Sequence, residues 1–174
     1  INTAIAGGIG LGLSNSFSAL YAQDVVPQKR IGIIGLDTSH SIAFTKALNA
    51  VGASAGFKGY RVVAAYPKGS NDIVSSAERI PGYTEEVKKL GVEIVSSIKE
   101  LLKKTDYILL ETNDGRLHLQ QALEVIKAGK PMFIDKPIAA SLKDAVAIFK
   151  AAEQNKVPVF SSSSLRFMTS AQEV

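Results

Sequence analysis

The sequence contains no cysteine and no tryptophan, and it has only two methionines and two histidines. Without cysteine, disulfides, thiolate metal sites and a cysteine nucleophile are all excluded. The histidines, His40 and His118, are too few for a histidine-rich metal site, which would need carboxylate ligands as well. We therefore assign no metal site from the sequence. The shortage of tryptophan and methionine argues against a stacking platform for bases and against a methionine-rich groove.

Excess charge is also small. The 174 residues include 20 Lys and Arg against 16 Asp and Glu, for a formal net charge of +4. A nucleic-acid footprint needs stronger and more clustered positive charge, so we expect no nucleic-acid partner. Hydrophobic residues make up 46% of the chain, which is enough to bury a core. The length fits a single domain of about 100–200 residues.

The first 22 residues are uncharged, apolar and rich in small residues. Their apolar run is too short to span a bilayer, which takes about 20 residues, but it has the length of a signal-peptide apolar region. Residues 1–8 resemble the part of a twin-arginine signal that follows the arginine pair, and cleavage could follow Ala22. We expect residues 1–22 to export a periplasmic or extracellular bacterial protein with no stable membrane span. The alternative is a helix packed on the domain of a cytoplasmic protein.

From Lys29 onward, apolar runs of strand length alternate with helical patterns. The six predicted strands are 30–35, 60–66, 92–95, 106–111, 131–135 and 157–160. The predicted helices are 39–51, with Phe44, Leu48 and Val51 on one face, then 84–90, 98–103, 117–128 and one that begins at a Ser141–Asp144 capping pair. This order predicts an α/β Rossmann fold, a doubly wound parallel sheet with helices on both faces. Its ligand crevice would lie at the carboxyl ends of the strands, where polar residues cluster.

Four of these strand ends carry a family resemblance. The stretch 128–139, which reads AGKPMFIDKPIA, is similar to the "AGK…EKP" signature of the Gfo/Idh/MocA oxidoreductases. The turn after the first strand, which begins at Gly35, occupies the place of a dinucleotide fingerprint. Residues 109–113 with His118 resemble the family's fourth-strand segment and following histidine, and Arg166 resembles an arginine after its sixth strand. The resemblance covers residues 29–167.

The resemblance implies an NAD(P)-binding domain over 29–167, with 168–174 as the start of a substrate domain in a longer chain. It implies an oxidoreductase that acts on a sugar, a polyol or a related hydroxyl compound, uses NADP or NAD, and forms a homo-oligomer when full length. Lys136 and His118 are the catalytic candidates. The implied cofactor contacts are Gly35, Thr38, Ser39, His40, Tyr66, Lys68, Ser70, Glu111, Thr112, Asn113, Asp135, Lys136 and Arg166.

The fingerprint departs from its Gly-x-Gly-x-x-Gly pattern, because Asp37 and His40 stand where the second and third glycines belong. A carboxylate 4 Å from a pyrophosphate would be repelled by about 4 kcal/mol at an effective dielectric constant of 20. Either Asp37 turns away and caps the following helix, or the cofactor sits differently, or no cofactor binds. If a cofactor binds, we expect Asp37 to be the cap, with Thr38, Ser39 or His40 nearest the phosphates.

The second strand lacks the acidic residue that usually binds the adenosine ribose, and Lys68 and Ser70 follow it instead. This pair suits a ribose 2′-phosphate and slightly favours NADP. The alternative is a lysine in a solvated loop. Other roles stay open: His118 could simply pack beside the fourth strand, Glu111 could merely end it, and Arg116 could pair with Asp114.

Two other functions compete with the oxidoreductase. One is a glycosidase that uses tightly bound NAD transiently, a branch known within this family. The other is a non-catalytic sugar-binding protein that has lost the cofactor, which the altered glycine pattern would support.

Overall fold

The computed structural model describes residues 27–173, so the predicted export signal lies outside the described residues. Its six strands are β1 (Lys29–Ile34), β2 (Tyr60–Tyr66), β3 (Glu93–Ile94), β4 (Tyr107–Leu110), β5 (Met132–Asp135) and β6 (Val159–Ser162). They form one parallel sheet in the order β3-β2-β1-β4-β5-β6. The predicted six-stranded Rossmann fold is confirmed. The strand order reverses between β1 and β4, which is the point where ligands bind in such sheets.

Helices connect the strands and cover the sheet. They are α1 (Ser39–Asn49), α2 (Ala53–Gly56), α3 (Val74–Lys89), α4 (Ile98–Lys104), α5 (Gly115–Lys127), α6 (Leu142–Gln154) and α7 (Thr169–Gln172), with a 3₁₀ turn at Ser164–Phe167 between β6 and α7. Within residues 27–173, none of these helices combines the length and the apolar character that crossing a membrane requires.

The sheet separates two hydrophobic clusters, one under each layer of helices. One cluster takes Ile33 from β1 and packs it with Ile42 and Val87 of α1 and α3. The other takes Ile34 from β1 and packs it with residues of α4, α5 and α6, such as Leu101. Neighbouring residues of β1 therefore face opposite helix layers, as alternating strand side chains require. Strands buried on both faces explain the continuous apolar runs in the sequence.

One helix prediction and one strand prediction were wrong in detail. A single helix, α3, runs through Pro81, although the sequence predicted a helix only from Thr84. Pro81 is exposed and removes one backbone hydrogen bond, but Val87 and Tyr83 of the same helix pack on the sheet and hold it in place. The last predicted strand also begins two residues later, at Val159.

The buried face of α1 also differs from the prediction. Val51 follows the helix and is exposed, whereas Ser41, Ile42 and Thr45 are buried. The Ser41 hydroxyl donates to the carbonyl of Thr38, and the Thr45 hydroxyl donates to that of Ser41, both at 2.7 Å. Because these hydroxyls are satisfied inside the helix, they can be buried, and a search for apolar periodicity misses them.

Candidate functional site

The turn between β1 and α1 packs tightly against the end of β4. Gly35 has a φ of +90°, and a β-carbon there would lie 2.6 Å from the backbone of Thr112. Only glycine meets both requirements. The fingerprint glycine that remains therefore lets the turn approach the strand beside the switch point, and its contact with a cofactor stays a prediction.

Asp37 does not cap α1, contrary to the prediction. It is fully buried, and its carboxylate accepts hydrogen bonds from the backbone amides of Asn113 at 3.0 Å and Ser70 at 3.4 Å. The residue at the N-cap is Thr38, which makes no side-chain capping bond. A β-carbon on Gly69 would collide with the Asp37 carboxylate. The loops after β2 and β4 thus offer Asp37 two amide donors, and it bridges them instead of turning back to its own helix.

Further polar contacts join the same two loops. The Ser70 hydroxyl lies 2.7 Å from Asp72 and 3.0 Å from Asp114, and the Arg116 guanidinium pairs with both carboxylates at 2.6 Å. The hydrogen bonds from Arg116 lower the pKa of Asp114 to about 2. The pairing of Arg116 with Asp114 is confirmed. We call Asp37, Ser70, Asp72, Asp114 and Arg116 the loop clamp.

The first turn of α1 is open to an anion. It contains no acidic residue, and the buried Thr38 hydroxyl has no hydrogen-bond partner in the part of the chain that the structure describes. The hydroxyl of Thr112, just after β4, is also buried and has no hydrogen-bond partner among the described residues. Ser39 is exposed at the start of the helix. Free amides and unpaired hydroxyls at a helix N-terminus suit a phosphate group, so these residues fit the pyrophosphate of a dinucleotide.

Only part of the predicted adenosine side is available to a ligand. Tyr66 ends β2 half-buried, and the exposed Lys68 lines a cavity of about 200 Å³ beside it. The Ser70 hydroxyl, by contrast, is buried and belongs to the loop clamp. Asn113 gives its amide to Asp37 and its side-chain nitrogen to Ser76. Lys68 is therefore the predicted 2′-phosphate contact that remains open to a ligand.

Four ionisable residues meet at the ends of β4 and β5. The Nδ1 atom of His40 lies 2.7 Å from Oδ2 of Asp135, and the Nζ atom of Lys136 lies 3.7 Å from the same oxygen. One ligand-type atom from each of His40, Glu111 and Asp135 lies within 4.8 Å of the others. We call these four residues the strand-end cluster. Lys136 is half exposed, so its ammonium group can reach a molecule in the crevice.

Glu111 is the unusual member of the strand-end cluster. It is fully buried, and neither of its carboxylate oxygens has a hydrogen-bond partner among residues 27–173. Burial raises its pKa to about 8, and the charge of Asp135 adds to the effect. Buried carboxyl groups nearly always have partners, so an unpaired one in a crevice marks a candidate functional site.

His118 lies in the first turns of α5 and is fully buried. Its Nε2 atom is 2.6 Å from the carbonyl oxygen of Thr112, and its Nδ1 atom is 3.1 Å from that of Ile138. The ring thus joins the loops that follow β4 and β5, which agrees with the packing role that the sequence left open. A catalytic role for His118 stays a prediction.

A cavity of about 450 Å³ opens beside the strand-end cluster. His40, Asp135, Phe44, Phe133 and Ser162 line part of it. The Ser162 hydroxyl is buried and lacks a partner. Arg166 is exposed in the 3₁₀ turn after β6, and its predicted cofactor contact stays a prediction. Sequence reasoning did not group His40 with Asp135, because they are 95 residues apart and no local motif joins them.

Comparison with known proteins agrees with this architecture. A curated relative, 1,5-anhydro-D-fructose reductase from Ensifer adhaerens, is 33% identical over 93 residues, which are 53% of this chain and 27% of the reductase. The solved WlbA dehydrogenase from Bordetella pertussis, in complex with NADH and UDP-GlcNAcA, matches with a TM-score of 0.64 and 22% identity, over 84% of this chain and 40% of that one.

The UDP-N-acetylglucosamine 3-dehydrogenase GnnA from Acidithiobacillus ferrooxidans matches with a TM-score of 0.64 and 19% identity, over 84% of this chain and 41% of that one. The present chain thus spans about two fifths of the length of these solved dehydrogenases. The sequence profile of an oxidoreductase family with an NAD-binding Rossmann fold matches residues 29–163. The chain belongs to this family, the Gfo/Idh/MocA oxidoreductases, and has its NAD-binding Rossmann fold.

Proposed function

We propose that this chain is the cofactor-binding part of an NAD(P)-dependent oxidoreductase that acts on a sugar, a polyol or a related hydroxyl compound. The observation that carries the proposal is the set of unpaired polar groups along one crevice. The uncapped start of α1 and the Thr38 hydroxyl lie at one place, and the unpaired Glu111 carboxylate lies at another, in the strand-end cluster that also contains Lys136. Such groups are expected where a ligand completes the hydrogen bonding.

Each group has a role in this proposal. The amides of α1 and the hydroxyls of Thr38 and Thr112 bind the pyrophosphate, and the bound nicotinamide supplies or accepts the hydride. Lys136 is the acid–base residue, which takes the proton from the substrate hydroxyl or returns it. Asp135 lies 3.7 Å from the Lys136 ammonium and orients it. His118 holds together the loops that carry Thr112 and Ile138. Whether it also takes part in catalysis is a question for mutation of His118.

The proposed substrate class draws on the relatives as well as on the crevice. The solved WlbA structure contains a sugar nucleotide, and the curated relative reduces an anhydro-sugar, according to their names. For this chain we propose NADP as the slightly preferred cofactor, because Lys68 is exposed at the end of β2 where the ribose would lie. A homo-oligomer of the full-length protein remains part of the proposal.

The deciding experiment is to denature the purified full-length protein and identify the released nucleotide by mass spectrometry. We expect NADP or NAD, and reduced cofactor when sugars or polyols are added with the oxidised form. Bound NAD without net reduction, together with glycoside cleavage, would favour the glycosidase. If neither cofactor binds at any concentration, the oxidoreductase is refuted and the sugar-binding protein is favoured, as the buried Asp37 in a glycine position would suggest.

We further propose that residues 1–22 direct export and are removed before Gln23. Their uncharged, small-residue pattern supports this. The test is the N-terminal sequence of the mature protein from its native host. A mature N-terminus at or before Ile1 would contradict the export proposal and leave the cytoplasmic alternative.

A further inference from the structure

The unpaired carboxylate of Glu111 does not stand alone. Within 4.8 Å of one another, the side chains of His40, Glu111 and Asp135 present one nitrogen and two carboxylate oxygens. Asp135 is 4% exposed and His40 is 31% exposed, so the group is open to the crevice on the histidine side. The described protein atoms offer the two Glu111 oxygens no partner at all.

Glu111 and Asp135 carry two negative charges only when both are ionised, and because both side chains are buried that state needs compensation. Lys136 lies 3.7 Å from Asp135, but the Glu111 oxygens form no hydrogen bond with it or with any other described residue. A divalent cation would neutralise both carboxylates at once, and the imidazole of His40 would supply the third ligand. A single proton would cancel only one of these charges and a water molecule neither, whereas an ion with two positive charges would cancel both.

The geometry agrees with an ion of small radius. Ligand atoms bound at about 2.1 Å from a metal are separated by at most about 4.2 Å, so the observed spread needs only small side-chain movements. The imidazole nitrogen distinguishes the class of ion, because magnesium and calcium prefer oxygen ligands alone. Three protein ligands also leave coordination positions open to a substrate oxygen, as in catalytic zinc sites.

We propose that His40, Glu111 and Asp135 bind a divalent first-row transition-metal ion, such as Zn²⁺, at the end of the crevice. Binding of the ion does not depend on the cofactor. Its use rests on the proposed function: an ion at this place, next to Lys136, would hold the oxygen of a substrate hydroxyl whose proton Lys136 transfers. The His40–Asp135 hydrogen bond would then be replaced by coordination to the ion.

The test is Zn²⁺ binding by the full-length protein without any affinity tag or cofactor, followed by calorimetry and by metal analysis after dialysis. We expect one ion per chain and a dissociation constant in the micromolar range or below. Replacing one ligand, as in Glu111→Gln or His40→Ala, should weaken binding at least about tenfold. The matched control is Glu78→Gln, an exposed carboxylate on α3, which should bind as the wild type does.

The two ligand variants protect the test against misfolding, since His40 is partly exposed and its loss leaves the core intact. Circular dichroism confirms that each variant is folded. No Zn²⁺ binding by the folded wild type, or equal binding by wild type and both ligand variants, would overturn the proposal. Tighter binding of Mg²⁺ than of Zn²⁺ would overturn the assigned class of ion. Because no cofactor is present, these outcomes leave the oxidoreductase proposal untouched.

Discussion

Two polar regions lie at the same edge of the sheet and differ in one respect. In the loop clamp, the buried Asp37 accepts hydrogen bonds from two backbone amides, and Asp114 forms an ion pair with Arg116. In the strand-end cluster, Glu111 is just as buried and has no hydrogen-bond partner within residues 27–173. Both regions carry carboxylates, so composition alone does not separate them. Their hydrogen bonding does.

The difference in hydrogen bonding indicates that the loop clamp and the strand-end cluster have different roles. A satisfied polar network contributes to stability, since removal of one member leaves the others buried and unpaired. An unsatisfied group costs stability and is retained where a ligand completes it. Substitutions in the loop clamp should therefore lower stability, and substitutions in the strand-end cluster should lower activity while the fold persists.

The largest effect is expected at Lys136. In the full-length protein, Lys136→Ala should lower kcat by about a hundredfold or more, because general acid–base groups typically contribute that much. Because the Lys136 side chain is half exposed, we expect the substitution to leave cofactor affinity and the unfolding midpoint unchanged. Steady-state kinetics, cofactor titration and urea unfolding measure these three quantities. Lys143→Ala, an exposed lysine on α6, is the control. A variant with a tenth of wild-type activity would make Lys136 structural.

Asp37→Ala tests whether the loop clamp stabilises the fold. It leaves the amides of Asn113 and Ser70 without their acceptor, so we expect the free energy of unfolding to fall by about 2 kcal/mol or more. Urea denaturation measures the change. The control Glu78→Ala removes an exposed carboxylate and should change stability by less than about 0.5 kcal/mol. Equal effects of the two substitutions would show that Asp37 does not hold the loops.

A smaller effect concerns pH. The pKa of Asp114 is about 2 in the folded protein, below its ordinary value of 3.8. Its contribution to stability is therefore present above pH 4 and is lost as the pH falls through about 2. Because Arg116 is half exposed and screened by water, we expect this contribution to the free energy of unfolding to be about 1 kcal/mol. Asp114→Asn keeps the cap of α5 and should flatten the stability profile between pH 4 and 2, as measured by urea unfolding. An unchanged slope would contradict the pairing.

The smallest effect is expected at Lys68, which lies outside both regions. Lys68→Ala should weaken the binding of NADP about fivefold and leave the binding of NAD unchanged, because an exposed ion pair contributes up to about 1 kcal/mol. Fluorescence titration with both cofactors measures the preference, with the exposed Lys150→Ala as control. An NADP preference that survives in Lys68→Ala would place the 2′-phosphate elsewhere.

Much of the fold was predictable from local patterns. The apolar run 60–66 is β2 exactly as predicted, and the Ser141–Asp144 pair does begin α6. Such signals lie within a few neighbouring residues, so they survive without knowledge of the tertiary structure. The error at Pro81 had the opposite origin, because contacts of Val87 with the sheet outweighed a local signal to end the helix.

The site was predictable only in outline. The rule that ligands bind at the carboxyl ends of parallel strands placed the candidates Lys136, Glu111 and Thr38 at one edge of the sheet, where the structure also has them. The rule did not show which of them are free. Asp37 was expected to cap its own helix, yet the amides that hold it belong to loops 33 and 76 residues away.

By itself, the sequence determined the alternation of strands and helices, the family and the positions of the polar strand ends, because each depends on side-chain periodicity or on a continuous motif. The tertiary structure decided which polar groups are satisfied. The strand order places β1 between β2 and β4, so the loops after β2 and β4 meet around Asp37, while Glu111 is left with two free oxygens beside His40 and Asp135. Hydrogen bonding between distant loops follows from packing, and no local pattern encodes it.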